Sequence, residues 1–135
     1  MKIKSQEVIL SKVLPDTVYE FLSKPLNIEC LLPKSQISDW KYSDTDCSFK
    51  VQNGVVTISL VANGGEKGSV LHYKSGEKSP FPFNLSIHME KYNDNTKGYL
   101  EFNGEVNMFL KMMVEKPLTN LFNDMAQELK NHFDA

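Results

Sequence analysis

The spacing of apolar positions divides the chain into stretches of different period. Residues 2–12, "KIKSQEVILSK", carry Ile3, Val8, Ile9 and Leu10 in a β-favouring context and predict a first strand. "LPDTVYEFLSKPLNIECLLP" reads differently. Pro15 suits a first helical turn, Asp16 favours a helix N-terminus, and Val18, Phe21 and Leu22 recur at helical spacing. Pro25 restricts the residue before it, so this helix is expected to stop near Ser23–Lys24. "PLNIECLLP" then predicts a second short helix, with Leu26, Ile28, Leu31 and Leu32 apolar and Pro33 closing it.

From Ile37 to Met108 the period is near two. "ISDWKYSD" and "CSFKVQ" predict a hairpin turning near Asp44–Asp46. In "GVVTISLVANGG", Val56, Ile58 and Leu60 share one face and Thr57 and Ser59 the other, and "NGGEKG" carries turn chemistry. "SVLHYKSGEK" is the next expected strand. In "FPFNLSIHMEKY", Phe81, Phe83, Leu85, Ile87 and Met89 alternate with Asn84, Ser86, His88 and Glu90. After the turn "NDNTKG", "YLEFNGEVNMF" sets Leu100, Phe102, Val106 and Met108 against Glu101, Asn103, Glu105 and Asn107. One wet face and one apolar face on successive strands predict an antiparallel meander covered on a single side. The cover is "EKPLTNLFNDMAQELKNHF", with Pro117 in a first turn and Leu118, Leu121, Phe122, Met125, Leu129 and Phe133 on one helical stripe. Nothing repeats, so residues 1–135 are read as one domain of α+β class.

Composition narrows the function classes. All fifteen basic residues are Lys and the formal net charge is -2. Without Arg, the usual bidentate reader of guanine, phosphate and carboxylate, a specific nucleic-acid reader or an Arg-clamped phosphate site is not expected. The N-terminus alternates instead of presenting a signal peptide's apolar core, and no run approaches the ~20 apolar residues of a membrane span. A cytoplasmic protein without stable membrane insertion is the expectation. Cys30 and Cys47 form no CxxC or CxxH pattern and read as free, mostly buried thiols. No metal site and no cofactor are expected: His72 and His88 lack helical i, i+4 spacing, "NGGEKG" is not a phosphate loop, and "SDTD" is too short for a calcium loop.

The order of elements is a strand, two short helices, a meander of about six strands and a long C-terminal helix. With "VYEFLSKPLNIECLLP", "CSFKVQNGVVTISLV" and "EVNMFLKMMVEKPLTNLFNDMAQELKNHF", it resembles the START-like superfamily, also called SRPBCC or the helix-grip fold. The superfamily includes polyketide cyclases, plant pollen-allergen-like steroid binders and lipid-transfer domains. The resemblance covers nearly the whole chain, and its closest look is that of small stand-alone bacterial members. It implies a curved antiparallel sheet of about six to seven strands gripping the last helix, and a cavity between them that often holds a hydrophobic ligand.

Strand parity and helical spacing nominate Trp40, Phe49, Ile58, Phe83, Ile87, Phe102, Met108, Met112 and Phe122 as cavity-lining residues. Three methionines, Met108, Met112 and Met113, crowd the junction of the last strand and helix. Soft and adaptable, they either plug the cavity or line it. His72 joins the candidate site if the Val70 face of its strand points inward. His88, on the Asn84 and Ser86 face, reads as outward, and His132 as exposed near the helix end. Tyr73, Tyr99 and Trp40 each offer one polar handle.

Three functions follow. The first is a binding module for a small hydrophobic molecule, as monomer or homodimer. The second is a cyclase or dehydratase with His72 as its acid or base. The third is a protein-interaction domain with a filled cavity and an exposed apolar patch near the second short helix or on the outer sheet face.

Overall fold

The structure is a computed structural model, and it describes residues 1–51 and 54–134. Its strands are β1 (Lys2–Lys4), β2 (Val8–Leu10), β3 (Ile37–Tyr42), β4 (Asp46–Val51), β5 (Val56–Glu66), β6 (Val70–Ser75), β7 (Phe83–Tyr92) and β8 (Asn95–Gly104). The helices are α1 (Pro15–Leu22), a 3-10 helix (Pro25–Leu31) and α2 (Met108–Asp134). The strands form one antiparallel sheet in the order β1-β8-β7-β6-β5-β4-β3, with β2 also pairing β8. Gln52, expected to continue β4, lies outside the described residues.

The meander has the expected six strands. The first strand does not run unbroken, and that raises the total to eight among the described residues. Ser5 is the break. Its N–H donates to the Leu100 carbonyl at 2.8 Å, and its Oγ, in place of a backbone carbonyl, accepts the Leu100 N–H at 2.8 Å. A hydroxyl substituting for the backbone lets the chain bend without stranding a buried donor.

The proline-bounded segment folds as its sterics require. α1 starts with Pro15 at its first position and ends on Ser23, whose N–H donates to the Tyr19 carbonyl. Lys24 and Leu32, each preceding a proline, are extended, with ψ of 116° and 128°. Between them Pro25, Ile28 and Leu31 are buried three residues apart, the period at which 3-10 side chains eclipse. Leu26 is out of phase and 45% exposed.

On the sheet, Phe49, Ile58, Leu60, Tyr73, Leu85, Ile87, Leu100 and Phe102 are buried on one face, with Phe81, Phe83 and Met89 close behind. From α2, Val114, Leu118, Leu121, Phe122, Met125, Ala126 and Leu129 meet them. The Phe102 ring stacks on Phe122 at 5.0 Å and lies 4.8 Å from Phe83, so sheet and helix join through aromatic contact.

Two local expectations are corrected. "NGGEKG" is not all turn. Asn63, Gly64 and Gly65 lie within β5, where the register against β6 shifts between Ala62 and Gly65. Gly65 takes φ 144°, and a Cβ there would collide with the Val70 carbonyl. The glycines thus build a bulge that re-aims a long strand. The last helix also begins nine residues before Pro117. Asn107 caps it: its Oδ1 accepts the Leu110 N–H at 2.8 Å and its carbonyl accepts the Lys111 N–H at 3.0 Å. Pro117 therefore sits inside the helix and leaves the Met113 carbonyl without its usual donor. Two residues on, the Thr119 hydroxyl donates to the Glu115 carbonyl at 2.7 Å.

Replacing Ser5 with Ala should strand the Leu100 N–H. We expect a loss of about 1–3 kcal/mol in urea unfolding, whereas an exposed control such as Ser35→Ala should change stability by less than ~0.5 kcal/mol.

Candidate functional site

The interior between the sheet and α2, where a cavity was expected, is packed. Phe49, Ile58, Phe83, Ile87, Phe102 and Phe122, six of the ten nominated residues, are buried there at 4% exposure or less. Trp40 is half-buried at the β3 edge. The other three lie elsewhere. Met108 and Met112 are 73% and 79% exposed, because α2 starts earlier than expected and its first two turns run past the core. His72 is on the outer face, since its neighbours Leu71 and Tyr73 are the buried residues of β6. There its Nδ1 lies 2.9 Å from Ser86 Oγ. The methionines at the strand–helix junction therefore neither plug nor line the interior.

Trp40 owes its position to a bulge. Register between β3 and β4 shifts between Ser38 and Lys41, and Asp39 takes φ 54°. This turns the indole onto Phe49 at 6.4 Å, with Tyr42 at 6.2 Å on the same strand. Trp40 Nε1 is buried and has no hydrogen-bond partner among the described residues. The Tyr73 hydroxyl is committed, donating to the Leu22 carbonyl at 2.6 Å and tying the sheet to the end of α1. Of the aromatic handles nominated from sequence, Trp40 alone combines an inward ring with a free donor.

Acid–base chemistry has little to draw on inside. Burial pushes the Cys47 thiol up to about 12, reinforced by the nearby Asp46 charge. Burial likewise holds the Tyr73 hydroxyl above its ordinary range. Both groups stay protonated near neutrality, and neither can serve as a general base there.

The outer face carries the polar chemistry. His88 stacks on Tyr99 at 4.8 Å, its Nε2 is 3.7 Å from Glu101, and Lys2 approaches the same carboxylate at 3.5 Å. The Lys4 ammonium lies 4.3 Å above the Tyr99 ring. Glu101, expected on a solvated face, is part of this network. His132 is exposed near the end of α2 and stacks on Phe21 at 4.5 Å. An open groove of about 670 Å³ on this face runs between Lys41, Tyr42, Lys74 and Lys78 over Ser48 and Ser59. Among the described residues, no group of three or more His, Cys, Asp or Glu side chains could hold a metal ion. Among the described residues, no helix is long and apolar enough to cross a membrane.

No family model and no curated protein matches the chain. Solved structures do. The KanY protein (ms6282) is similar over 100% of this chain and 98% of its own, with a TM-score of 0.77 and 12% identity. TTHA0849 from Thermus thermophilus is similar over 98% of this chain and 97% of its own, with a TM-score of 0.73 and 12% identity. A START superfamily protein from Mycobacterium smegmatis covers 98% of this chain and 97% of its own, with a TM-score of 0.66 and 11% identity. At these identities the likeness is one of fold. The chain has the START-like, helix-grip fold, an α+β architecture in which a curved antiparallel sheet grips a long C-terminal helix.

The two thiols should separate by reactivity. Cys30 is exposed and Cys47 buried. A thiol-disulfide reagent at pH 8 should label one thiol per native chain quickly and the second only on unfolding. The raised Cys47 value also carries a sign. Its stabilising effect is complete below the unfolded thiol's value near 9.0 and is lost as pH rises toward about 12. Urea unfolding should therefore show stability falling above pH 9, and less steeply in Cys47→Ala.

Proposed function

We propose that the protein binds a small hydrophobic molecule carrying one hydrogen-bond acceptor, seated between the sheet and α2 at the β3–β4 end. The observation that carries this reading is the Trp40 indole, whose buried N–H has no partner among the described residues. Buried donors without partners are uncommon, and an acceptor on a bound molecule would supply one here. Trp40 and Phe49 would flank the ligand, and Ile58, Phe83, Ile87, Phe102 and Phe122 would form the apolar ground around it. Because the interior is packed, the ligand must displace side chains. The half-buried Ile37 and Trp40 are the pieces best able to move. Apolar desolvation would drive binding, and the indole N–H would fix orientation.

Binding without turnover is the simpler reading. A cyclase or dehydratase needs an interior acid or base, and His72, nominated for that role, faces outward. Two free cysteines, one of them exposed, suit a reducing compartment such as the cytoplasm.

Trp40 is the chain's single tryptophan, so its emission reports on this site alone. Titration with sterols, fatty acids, quinones and flavonoids should yield at least one ligand that shifts or quenches Trp40 fluorescence saturably and raises Tm. Trp40→Phe keeps the ring and removes the N–H. Calorimetry should then show affinity reduced roughly 5–10-fold, while the ligand-free variant is as stable as the parent or more so. Equal affinity in parent and variant would overturn the role given to the indole. No emission change or Tm shift across the panel, with no apolar molecule extracted from protein purified from its host, would overturn the binding reading.

A further inference from the structure

The first two turns of α2 carry an apolar face that the fold does not use. Met108, Phe109, Met112 and Met113 are 73%, 74%, 79% and 47% exposed, while Val114 beside them is fully buried. At about 100° per residue these four fall within a single ~140° sector. Together they present on the order of 500 Å² of large side chain, at the upper end of what a monomer ordinarily shows. Other exposed apolar residues, such as Leu14, Leu26 and Tyr92, come from separate elements. The patch expected near the 3-10 helix or on the outer sheet face is thus found on α2.

The charges around this face identify its occupant. Lys116 continues the sector one turn beyond Met112 and Met113, and Glu105 precedes it just outside the helix. Both are exposed, and neither is in an ion pair among the described residues; Lys111 already pairs with Glu115 at 3.7 Å. A two-fold axis between Leu110 and Lys111 brings Met108 opposite Met113, Phe109 opposite Met112, and Lys116 opposite Glu105. We infer that this face pairs with a second copy of the chain, two α2 N-terminal segments packing antiparallel about that axis. Such a contact requires self-complementarity, and here apolar residues meet apolar ones while free charges meet opposite charges at both ends. An anionic membrane would meet Glu105 and Glu115 as well as the lysines, on a chain of net charge -2, and is the poorer fit. Two copies of the face bury on the order of 1,000 Å², the lower limit for a specific interface, so the dimer should be weak, with Kd on the order of micromolar.

Sedimentation velocity on the full chain tests this from about 1 to about 100 µM, with reductant present because Cys30 is exposed. The dimer fraction should rise across the range. Phe109→Glu and Met112→Glu should each leave monomer throughout, with Tm unchanged at the lowest concentration because both side chains are exposed. Lys116→Glu and Glu105→Lys should each weaken the dimer several-fold, and the two together should restore it. Monomer at all concentrations, or a dimer that survives Phe109→Glu, would overturn the inference. A dimer lost on Phe109→Glu but not rescued by the double swap would overturn the antiparallel register. A monomer that sediments with phosphatidylcholine–phosphatidylserine vesicles through Phe109 would give the face to a membrane instead.

Discussion

The contact on which the rest depends is the aromatic bridge from Phe83 through Phe102 to Phe122. β7 and β8 set Phe83 and Phe102 side by side, and α2 lays Phe122 on Phe102. Each large ring contributes roughly 1.5–3 kcal/mol on burial, with about 0.5–1.5 kcal/mol more where rings meet. A curved sheet exposes a wide apolar face that one helix cannot cover by backbone proximity. α2 approaches β1, β2, β8 and the 3-10 helix closely, and large side chains must fill the remaining distance to the middle strands. This explains why the fold is rich in phenylalanine at its centre and why its interior is packed.

The same constraint separates the two ends of α2. From Val114 onward the helix has a floor of sheet and short helices beneath it, and its apolar stripe disappears into the core. Before Val114 the stripe's phase changes, and Met108, Phe109, Met112 and Met113 turn to solvent. Pro117 lies at this transition. With no N–H for Met113, it loosens the helical ladder where the helix stops being held from below. Two distinct regions result: a packed interior at whose edge the Trp40 indole N–H has no partner among the described residues, and a projecting apolar helix end.

Much of this was legible in the chain itself. Alternation in "FPFNLSIHMEKY" and "YLEFNG" identified the buried face of β7 and β8, and prolines 15, 25 and 33 marked the short helices. What stayed hidden has local causes. Ser5 reads as an ordinary polar residue until its hydroxyl takes a backbone role against Leu100, 95 positions away. Pro117 is favourable in a first turn, which masked the cap at Asn107 and shifted the helix start. That one displacement moved Met108 and Met112 from expected lining to exposed surface. His72 depended on the parity of β6, which Leu71 and Tyr73 decide together because both are larger apolar anchors than Val70.

The outer face of the sheet shows why an apolar interior and a polar exterior need not compete for the same residues. His72–Ser86 and His88–Glu101–Lys2 form cross-strand rows. His72 stands directly opposite Ser86, whereas His88 and Lys2, opposite Tyr99 and Asn103, reach Glu101 on the diagonal. Such rows align strands without entering the core. With the histidines engaged there, the interior keeps only the protonated Cys47 and Tyr73 as titratable groups among the residues described. An interior of this make-up is in keeping with the proposed binding of an apolar molecule.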